Sequence, residues 1–486
     1  MTDTDAEARL LDSTIRLHEA APQLSALHLG GIQRLVLLVA VVATPLLLVS
    51  PGGVLIVVAA VSTAAYAATV THRLFLFRAS IRPSASVVVT DAEARAVPAR
   101  SLPLYTILIP AYREPDVIAE LLASIDALEY PTERLDVKLI LERDDEETIA
   151  AVEAARPGSH VQVLLVPPSQ PRTKPKALNY GLTYARGDLV TIYDAEDRPD
   201  PLQLRRAVVA FSHSHPNVAC FQAKLAFDNI EDNLITRWFA AEYAMWFNLY
   251  LPGLVGQDAP LPLGGTSNHF RRAVLENVAA WDCYNVTEDA DLGIRLRRRG
   301  WRVGMLESTT YEEANTDFVN WVKQRSRWYK GYLQTWAVHM RHPRTLWRQL
   351  GPRGFLHLNL FVGGTPLLAF LNPIFWSFVV VWFIAMPHVI RQIYPAPIFY
   401  MALLCFALGN AAVFYMTLLG ARLTNRPRLV LASLLVPLYW VMMSIAAMKA
   451  VVQFVATPSL WEKTVHGLTD SRAVIYEDVL SGGRTR

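Results

Sequence analysis

Apolar positions follow three different rhythms along this chain. Two mainly apolar runs, residues 32–50 and 54–70, are each about long enough to cross a bilayer, and only Pro51-Gly52-Gly53 separates them. Arg34 stands at the start of the pair and Arg73, Arg78 and Arg82 follow it, while the connecting turn carries no charge. Both flanks are therefore expected on the cytosolic side. From about residue 102 to 342 the pattern changes to short β-branched runs alternating with helical periodicity. Strands are expected at 105–110, 137–141, 161–166 and 189–193, with helical stretches at 114–128 and 177–185. That alternation predicts an α/β domain with a mostly parallel sheet covered on both faces.

Beyond Arg353 the chain turns apolar again. Residues 355–371 contain Gly363, Gly364 and Pro366 and end at Asn372-Pro373, which reads as an interfacial or re-entrant helix. Residues 374–388 and 397–419 are long enough to span. Arg422, Arg426 and Arg428 place the next connection in the cytosol. Residues 429–454, broken by Pro437 and charged at Lys449, either cross or lie along the inner surface. Four crossings are expected, with five or six as the alternatives. The chain divides into a cytosolic N-terminal segment (1–31), a transmembrane hairpin (32–74), a cytosolic α/β domain (100–342), interface and transmembrane helices (343–454) and a cytosolic C-terminal segment (455–486).

Composition supports this division. The 486 residues are 52% hydrophobic and 18% charged, with mean hydropathy +0.23, too apolar for an ordinary soluble enzyme. A net charge of +3 gives no global argument for a nucleic-acid partner. Cys220, Cys283 and Cys405 lack metal-ligand spacing and fit a reducing compartment. The first thirty residues are polar, unlike a cleavable signal peptide, and Leu10, Leu11, Ile15 and Leu17 suit a short amphipathic helix on the membrane surface.

The chemistry concentrates around residues 185–199. Gly187 closes a helical pattern, 189–193 is a buried-strand run, and Asp194, Glu196 and Asp197 follow at once. Open α/β sheets bind ligands at the carboxyl ends of their strands, which makes these acids site candidates. Extended backbone would put Asp194 and Glu196 on one side and Asp197 on the other. Carboxylate oxygens suit Mg²⁺ or Mn²⁺ held partly by substrate phosphates; a solvated acidic turn would look the same taken alone. Upstream, Lys174 and Lys176 sit at a helix start, where cations oppose the macrodipole unless an anion such as a diphosphate is present.

Three further stretches carry candidates. Residues 235–254 hold Trp238, Phe239, Tyr243, Trp246, Phe247 and Tyr250, which suits a helix at headgroup level or a core helix. Gly264-Gly265-Thr266-Ser267 offers glycines where backbone approaches a ligand closely, with His269 following as an ordinary structural histidine. Thr287 caps an expected helix led by Glu288, Asp289 and Asp291, while on the expected helix 317–340 Gln324, Arg327 and Trp328 share one face.

In this order on one α/β domain between membrane helices, these motifs resemble the processive family-2 inverting glycosyltransferases, the membrane-embedded group that includes cellulose, hyaluronan and mannan synthases. The resemblance covers roughly residues 30–470. It implies a GT-A domain, a Rossmann-like mixed sheet inserted between transmembrane helices with amphipathic interface helices. By position, Tyr112, Glu114, Glu142 and Asp144 match donor-nucleotide contacts, and Lys174 matches the residue that reaches the diphosphate. Asp194 and Glu196, with Asp197 beside them, match the metal-binding DxD motif for Mg²⁺ or Mn²⁺. Asp289, with Glu288 next to it, matches the catalytic base. Gln324, Arg327 and Trp328 match QxxRW, with Trp328 under the acceptor and Thr266 and Ser267 near it. Thr464 and His466, within Trp461 to Gly467, are similar to a gating loop over the donor. Glu196 stands where the motif has aspartate, Glu142-Arg143-Asp144-Asp145 replaces the usual Asp-Asp-Gly turn, and His466 replaces a lysine.

The implied function is a multi-pass inner- or plasma-membrane enzyme that polymerises a nucleotide sugar, with UDP-glucose as the donor, and passes the polysaccharide through its own helices. The alternatives are a mannan or N-acetylglucosamine polymer synthase, or a transferase that adds one sugar to a lipid. The implied partners are a nucleotide sugar, a growing polysaccharide, the bilayer and export proteins, but no nucleic acid.

Overall fold

A computed structural model describes residues 3–28, 31–81, 86–385, 390 and 394–458. Its helices, in chain order, begin with α1 (Asp3–Ala20), α2 (Gly31–Val49) and α3 (Pro51–Ser80). Within the central domain they are α4 (Ile118–Asp126), α5 (Glu146–Ala155), α6 (Lys174–Leu182), α7 (Gln203–His213), α8 (Leu234–Met245), α9 (Glu288–Arg298) and α10 (Phe318–His339). After it come α11 (Pro343–His357), α12 (Gly364–Ala385), α13 (Asn410–Leu423) and α14 (Val436–Ala456).

Eight strands form one sheet: β1 (Tyr105–Ala111), β2 (Leu135–Glu142), β3 (Val161–Val166), β4 (Leu189–Ile192), β5 (Arg198–Pro199), β6 (Val218–Phe227), β7 (Asn268–Arg271) and β8 (Arg302–Glu312). Their order is β3-β2-β1-β4-β7-β6-β8-β5. The four expected strands are parallel neighbours at one end. The other half is mixed, because β7 runs antiparallel to both β4 and β6 while β6 and β8 are parallel. Sequence reading missed β5 to β8. Asn268-His269-Phe270-Arg271 has no apolar alternation, yet its first three residues are buried, with His269 Nδ1 hydrogen-bonded to the Tyr105 hydroxyl at 2.8 Å.

Period-two alternation separates two cores. Tyr105, Ile107, Ile109, Val137, Leu139 and Leu141 pack on one face with Leu121, Leu122 and Ile125 of α4 and Leu204 of α7. Leu108, Ile140, Val190 and Ile192 point to the other, against Leu178 and Leu182 of α6. That second core also takes in Leu76 from the end of α3. Residues 251–256 lie against this last turn of α3, and a β-carbon on Gly253 would stand 2.3 Å from the Leu76 carbonyl oxygen. Glycine is thus required for the two backbones to meet.

Several expectations change. Pro51 opens α3 at its first position rather than only breaking a hairpin, and α3 continues past residue 70 to Ser80 because its last turns are buried by the domain. α12 runs through Asn372-Pro373, where a break was expected; proline removes one helical hydrogen bond but leaves the others in place. α1 is not laid on a lipid surface: Leu10 and Leu17 are buried against the domain, although Leu11 is exposed. The aromatic stretch after Ile235 forms α8 and a π-helical turn at Trp246–Tyr250, capped at its start by the Asn233 side chain, and it packs into the core. Among the described residues, four helices are long and apolar enough to cross a membrane: Pro51–Ser80, Pro343–Ile384, Ala396–Leu423 and Val436–Ala456.

Candidate active site

A cavity of about 490 Å³ opens at the carboxyl ends of β1, β2 and β4. Residues that are far apart in sequence line it together: Tyr112 and Glu114 after β1, Glu142 at the end of β2, Asp194 and Glu196 after β4, Glu288 and Asp289 at the start of α9, and Gln324, Arg327 and Trp328 on α10. Thr365, in the first turn of α12, lines it from the side of the apolar helices.

The acids after β4 do not stay extended. The chain turns after Tyr193, with Asp197 N–H donating to Asp194 O at 3.1 Å, so the expected alternation does not hold. Asp194 and Glu196 face the cavity, whereas the buried Asp197 accepts from Asp194 N–H at 2.8 Å and from the Thr266 hydroxyl. Asp197 therefore braces the turn from behind. Ser267 is likewise behind the wall, donating to Thr310 Oγ1 at 2.6 Å, and Thr266 spends its hydroxyl on Asp197 and Ile192 O. Asp144 lies outside the lining and pairs with Arg172 at 2.7 Å, while Arg172 also donates to the Tyr112 hydroxyl at 3.3 Å. Thr464 and His466 lie outside the described residues.

α6 behaves in a way its sequence only half reveals. Lys176 points inward and pairs with the buried Glu142 at 2.9 Å. Lys174 enters the cavity, pairing with Asp194 and donating to Gly265 O at 2.8 Å. Burial alone would lower the Lys174 pKa, but Asp194 and Glu288 outweigh it and hold the pKa above that of ordinary lysine. A β-carbon on Gly265 would stand 3.6 Å from both Lys174 Nζ and Asp289 Oδ2, so this glycine keeps open the gap between cation and carboxylate.

Burial dominates the acids at the head of α9. It raises Asp289 to about 6 against the pull of Ala290 N–H, Lys174 and Arg327. Glu288 rises to about 8, through burial and then the neighbouring Asp289 charge. These are protonation equilibria of one coupled pair. Arg327 moves down through burial, opposed by Glu288, Asp289 and Asp194, so all three sequence segments act on one another electrostatically. Glu312, at the end of β8, also lines the cavity and is pushed well up by burial and by Asp197, Asp194 and Glu196.

Trp328 lines the cavity with its ring stacked 6.1 Å from Tyr243. The guanidinium of Arg325, at a variable position between Gln324 and Arg327, lies 4.5 Å from the Trp328 ring. Arg325 donates to Glu242 Oε1 of α8 at 3.0 Å and to the Tyr439 hydroxyl of α14 at 3.2 Å, and Tyr439 donates to Glu242 Oε2 at 2.7 Å. Glu242, a lone carboxylate among the aromatics of α8, was the available signal for this triad.

Two carboxylates at the cavity wall provide the hard oxygen donors that Mg²⁺ or Mn²⁺ takes. Among the described residues, no three His, Cys, Asp or Glu side chains converge as a complete metal cage. The donor set fits an ion that completes its shell with water and phosphate oxygens.

The strand ends thus gather acids, a basic helix start and an aromatic platform around one cavity. Residues 103–331 match the family model described as glycosyltransferase-like family 2. It is 28% identical over 250 residues, half of this chain, to a beta-monoglucosyldiacylglycerol synthase of Trichormus variabilis, covering 52% of that protein. It is also 28% identical over 241 residues, 46% of this chain, to a probable glucomannan 4-beta-mannosyltransferase of Arabidopsis thaliana, covering 42% of it. The chain spans little more than half the length of the first curated relatives it matches, 52% to 57%. The fold is similar to that of the mannosyltransferase PcManGT from Pyrobaculum calidifontis, solved with GDP-Man and Mn²⁺, with TM-score 0.50 and 19% identity, covering 82% of this chain and 99% of that one.

Proposed function

We propose that the chain is a membrane-embedded, inverting, processive glycosyltransferase that elongates a polysaccharide from a nucleotide sugar, UDP-glucose in the first instance. The observation that carries the proposal is the meeting in one cavity of Asp194, Asp289 and Trp328, with Thr365 of an apolar helix at its edge.

In this reading an acceptor hydroxyl attacks the anomeric carbon as the bond to the nucleoside diphosphate breaks on the opposite face, which inverts that centre. Asp289 takes the hydroxyl proton; its raised pKa keeps it basic enough to do so near neutral pH. Lys174 and Arg327 stabilise the negative charge that grows on the departing diphosphate. In the free chain Lys174 is held by Asp194, and an arriving diphosphate takes over that cation. Asp194 and Glu196 would hold a divalent cation, which would neutralise phosphate charge when bound. Trp328 offers its face to the apolar C–H edge of an acceptor pyranose. Tyr112, Glu114 and Glu142 stand at the nucleoside end of the cavity and would contact base and ribose.

Passage of the product would start at the membrane side. Glu242, Trp246, Tyr329 and Thr365 line both the main cavity and a smaller one of about 70 Å³ among α3, α12, α13 and α14. There the Tyr66 hydroxyl lies 3.0 Å from Asn372 Oδ1 and 3.3 Å from Asn410 Oδ1. Polar groups inside apolar helices are expensive and commonly mark a substrate path.

Similarity to a glycolipid synthase favours a second reading, transfer of one sugar to a lipid hydroxyl. The test incubates purified full-length protein with UDP-glucose and GDP-mannose separately, measures the released nucleoside diphosphate, and sizes the product by size-exclusion chromatography. High-molecular-weight product supports the polymerase, a single-sugar lipid product supports the second reading, and no release from any nucleotide sugar refutes both.

A further inference from the structure

We propose that the N-terminal segment, residues 3–28, is a positioning element of the transfer site, clasping the turn at residues 279–287 that carries Glu288 and Asp289 into the cavity. This rests on the reading of Asp289 as the base.

The turn begins in an unfavourable conformation. Ala279 and Ala280 have φ of 61° and 48°, two consecutive non-glycine residues in the left-handed region. Such backbone persists only where its surroundings hold it. Arg295 of α9 supplies part of the hold, donating to Val278 O at 2.6 Å and Ala280 O at 2.5 Å while Asp291 grips its Nε at 2.6 Å. α10 supplies another part: Val286 N–H donates to Gln334 Oε1 at 3.1 Å, and Asn285 Nδ2 to Thr335 Oγ1 at 3.0 Å.

The middle of the turn is fastened from the N-terminal side. Asp282, 1% exposed, accepts Tyr284 N–H on Oδ1 at 3.0 Å and Ala26 N–H on Oδ2 at 2.6 Å. Asn179 of α6 holds Trp281 through both its amide hydrogen bonds, N–H to Oδ1 at 3.1 Å and Nδ2 to O at 2.8 Å, and donates to Ser13 O of α1 at 3.2 Å. Leu17, Ala21 and Leu24 close over Ala279. Arg341, just past α10, donates to Ser25 O at 2.8 Å and ties down the far end of the clasp. The turn is thus suspended between the N-terminal segment and the helix that bears Arg327 and Trp328, so releasing one anchor moves Asp289 relative to the other wall of the cavity.

One substitution isolates the central bond. Ala26 opens a short 3₁₀ turn, where proline fits, and Ser25 before it has φ −85° and ψ 140°, a conformation that proline accepts in its predecessor. Ala26→Pro therefore deletes the N–H that Asp282 receives and sets the ring Cδ in its place, which pushes the carboxylate away. In full-length protein we expect turnover to fall about tenfold with donor KM within about twofold, the split that marks lost orientation rather than lost binding. Amide hydrogen exchange across residues 279–289 should rise. Asp282→Asn keeps an acceptor for Tyr284 but turns a donor toward Ala26, so its loss should not add to that of Ala26→Pro when the two are combined. Wild-type turnover in Ala26→Pro, additive losses in the double variant, or KM and turnover failing together would overturn the proposal. If the wild type releases no nucleoside diphosphate, the transferase reading fails, while the exchange measurement still decides whether the clasp exists.

Discussion

Gly331 on α10 faces the Thr287 side chain, and replacing it with alanine tests whether the cavity depends on how closely the two segments approach. The added β-carbon would stand 2.3 Å from Thr287 Cγ2, 2.5 Å from its Oγ1 and 2.8 Å from its Cβ, against 3.4–4 Å for ordinary contact. No rotation of the threonine relieves all three, since its Cβ is itself too close. In an exposed helix alanine would be worth about 1 kcal/mol over glycine, but overpacking a buried contact costs about 1–3 kcal/mol, so the clash wins or cancels the gain. The larger effect falls on function. Thr287 must retreat about 1 Å, carrying Glu288 and Asp289 with it, and a misplacement of that size costs on the order of 100-fold in rate, equivalent to ~2.7 kcal/mol of barrier. The assay is steady-state release of nucleoside diphosphate by Gly331→Ala, read beside donor affinity from a titration. Turnover should fall by about two orders of magnitude with donor affinity nearly kept, and adding Thr287→Ala should recover part of it by removing two of the three close atoms. Undiminished turnover in Gly331→Ala would refute the claim that this contact sets the position of Asp289.

Other expectations follow from the same geometry. Asp289→Asn should abolish transfer while leaving nucleotide binding intact, and retained turnover would remove Asp289 from its role. Because burial raises the Asp289 pKa to about 6, the group gains a proton as pH falls through that value and can no longer accept one; kcat/KM should therefore drop about tenfold per pH unit on the acid side, and a flat profile down to pH 5 would contradict the assignment. Removing divalent cations with a chelator should stop transfer and added Mn²⁺ or Mg²⁺ should restore it, whereas undiminished transfer in chelated enzyme would rule out the role given to Asp194 and Glu196. Glu242→Gln leaves the buried Arg325 without its carboxylate and should destabilise the fold by about 3–5 kcal/mol, visible as a lowered unfolding midpoint; an unchanged midpoint would show that the pair contributes little.

Sequence alone conveyed the parallel half of the sheet, because β1 to β4 carry β-branched apolar runs long enough to read. β7 was illegible, since its burial comes from hydrogen-bonded partners such as Tyr105 rather than from apolar side chains. The convergence of Asp194, Asp289 and Trp328 was legible only through motif order; no local pattern reports that three distant segments share one cavity. Asp197 and Ser267 show the opposite failure, polar residues next to a site that turn their side chains into the wall to hold it. α1 misled because amphipathicity records that a helix has an apolar side, not whether lipid or protein covers it.

The seam between α3 and Gly253 carries a practical meaning for anyone who would take this molecule apart. Leu76 belongs at once to a helix long enough to cross a membrane and to the core beneath the sheet. Severing the chain near residue 100 would not liberate an intact domain; it would strip Leu76 and the helix that carries it from one wall of the core. The apolar helix and the α/β domain are one folding unit here, and their relative placement is fixed by backbone contact rather than by a tether.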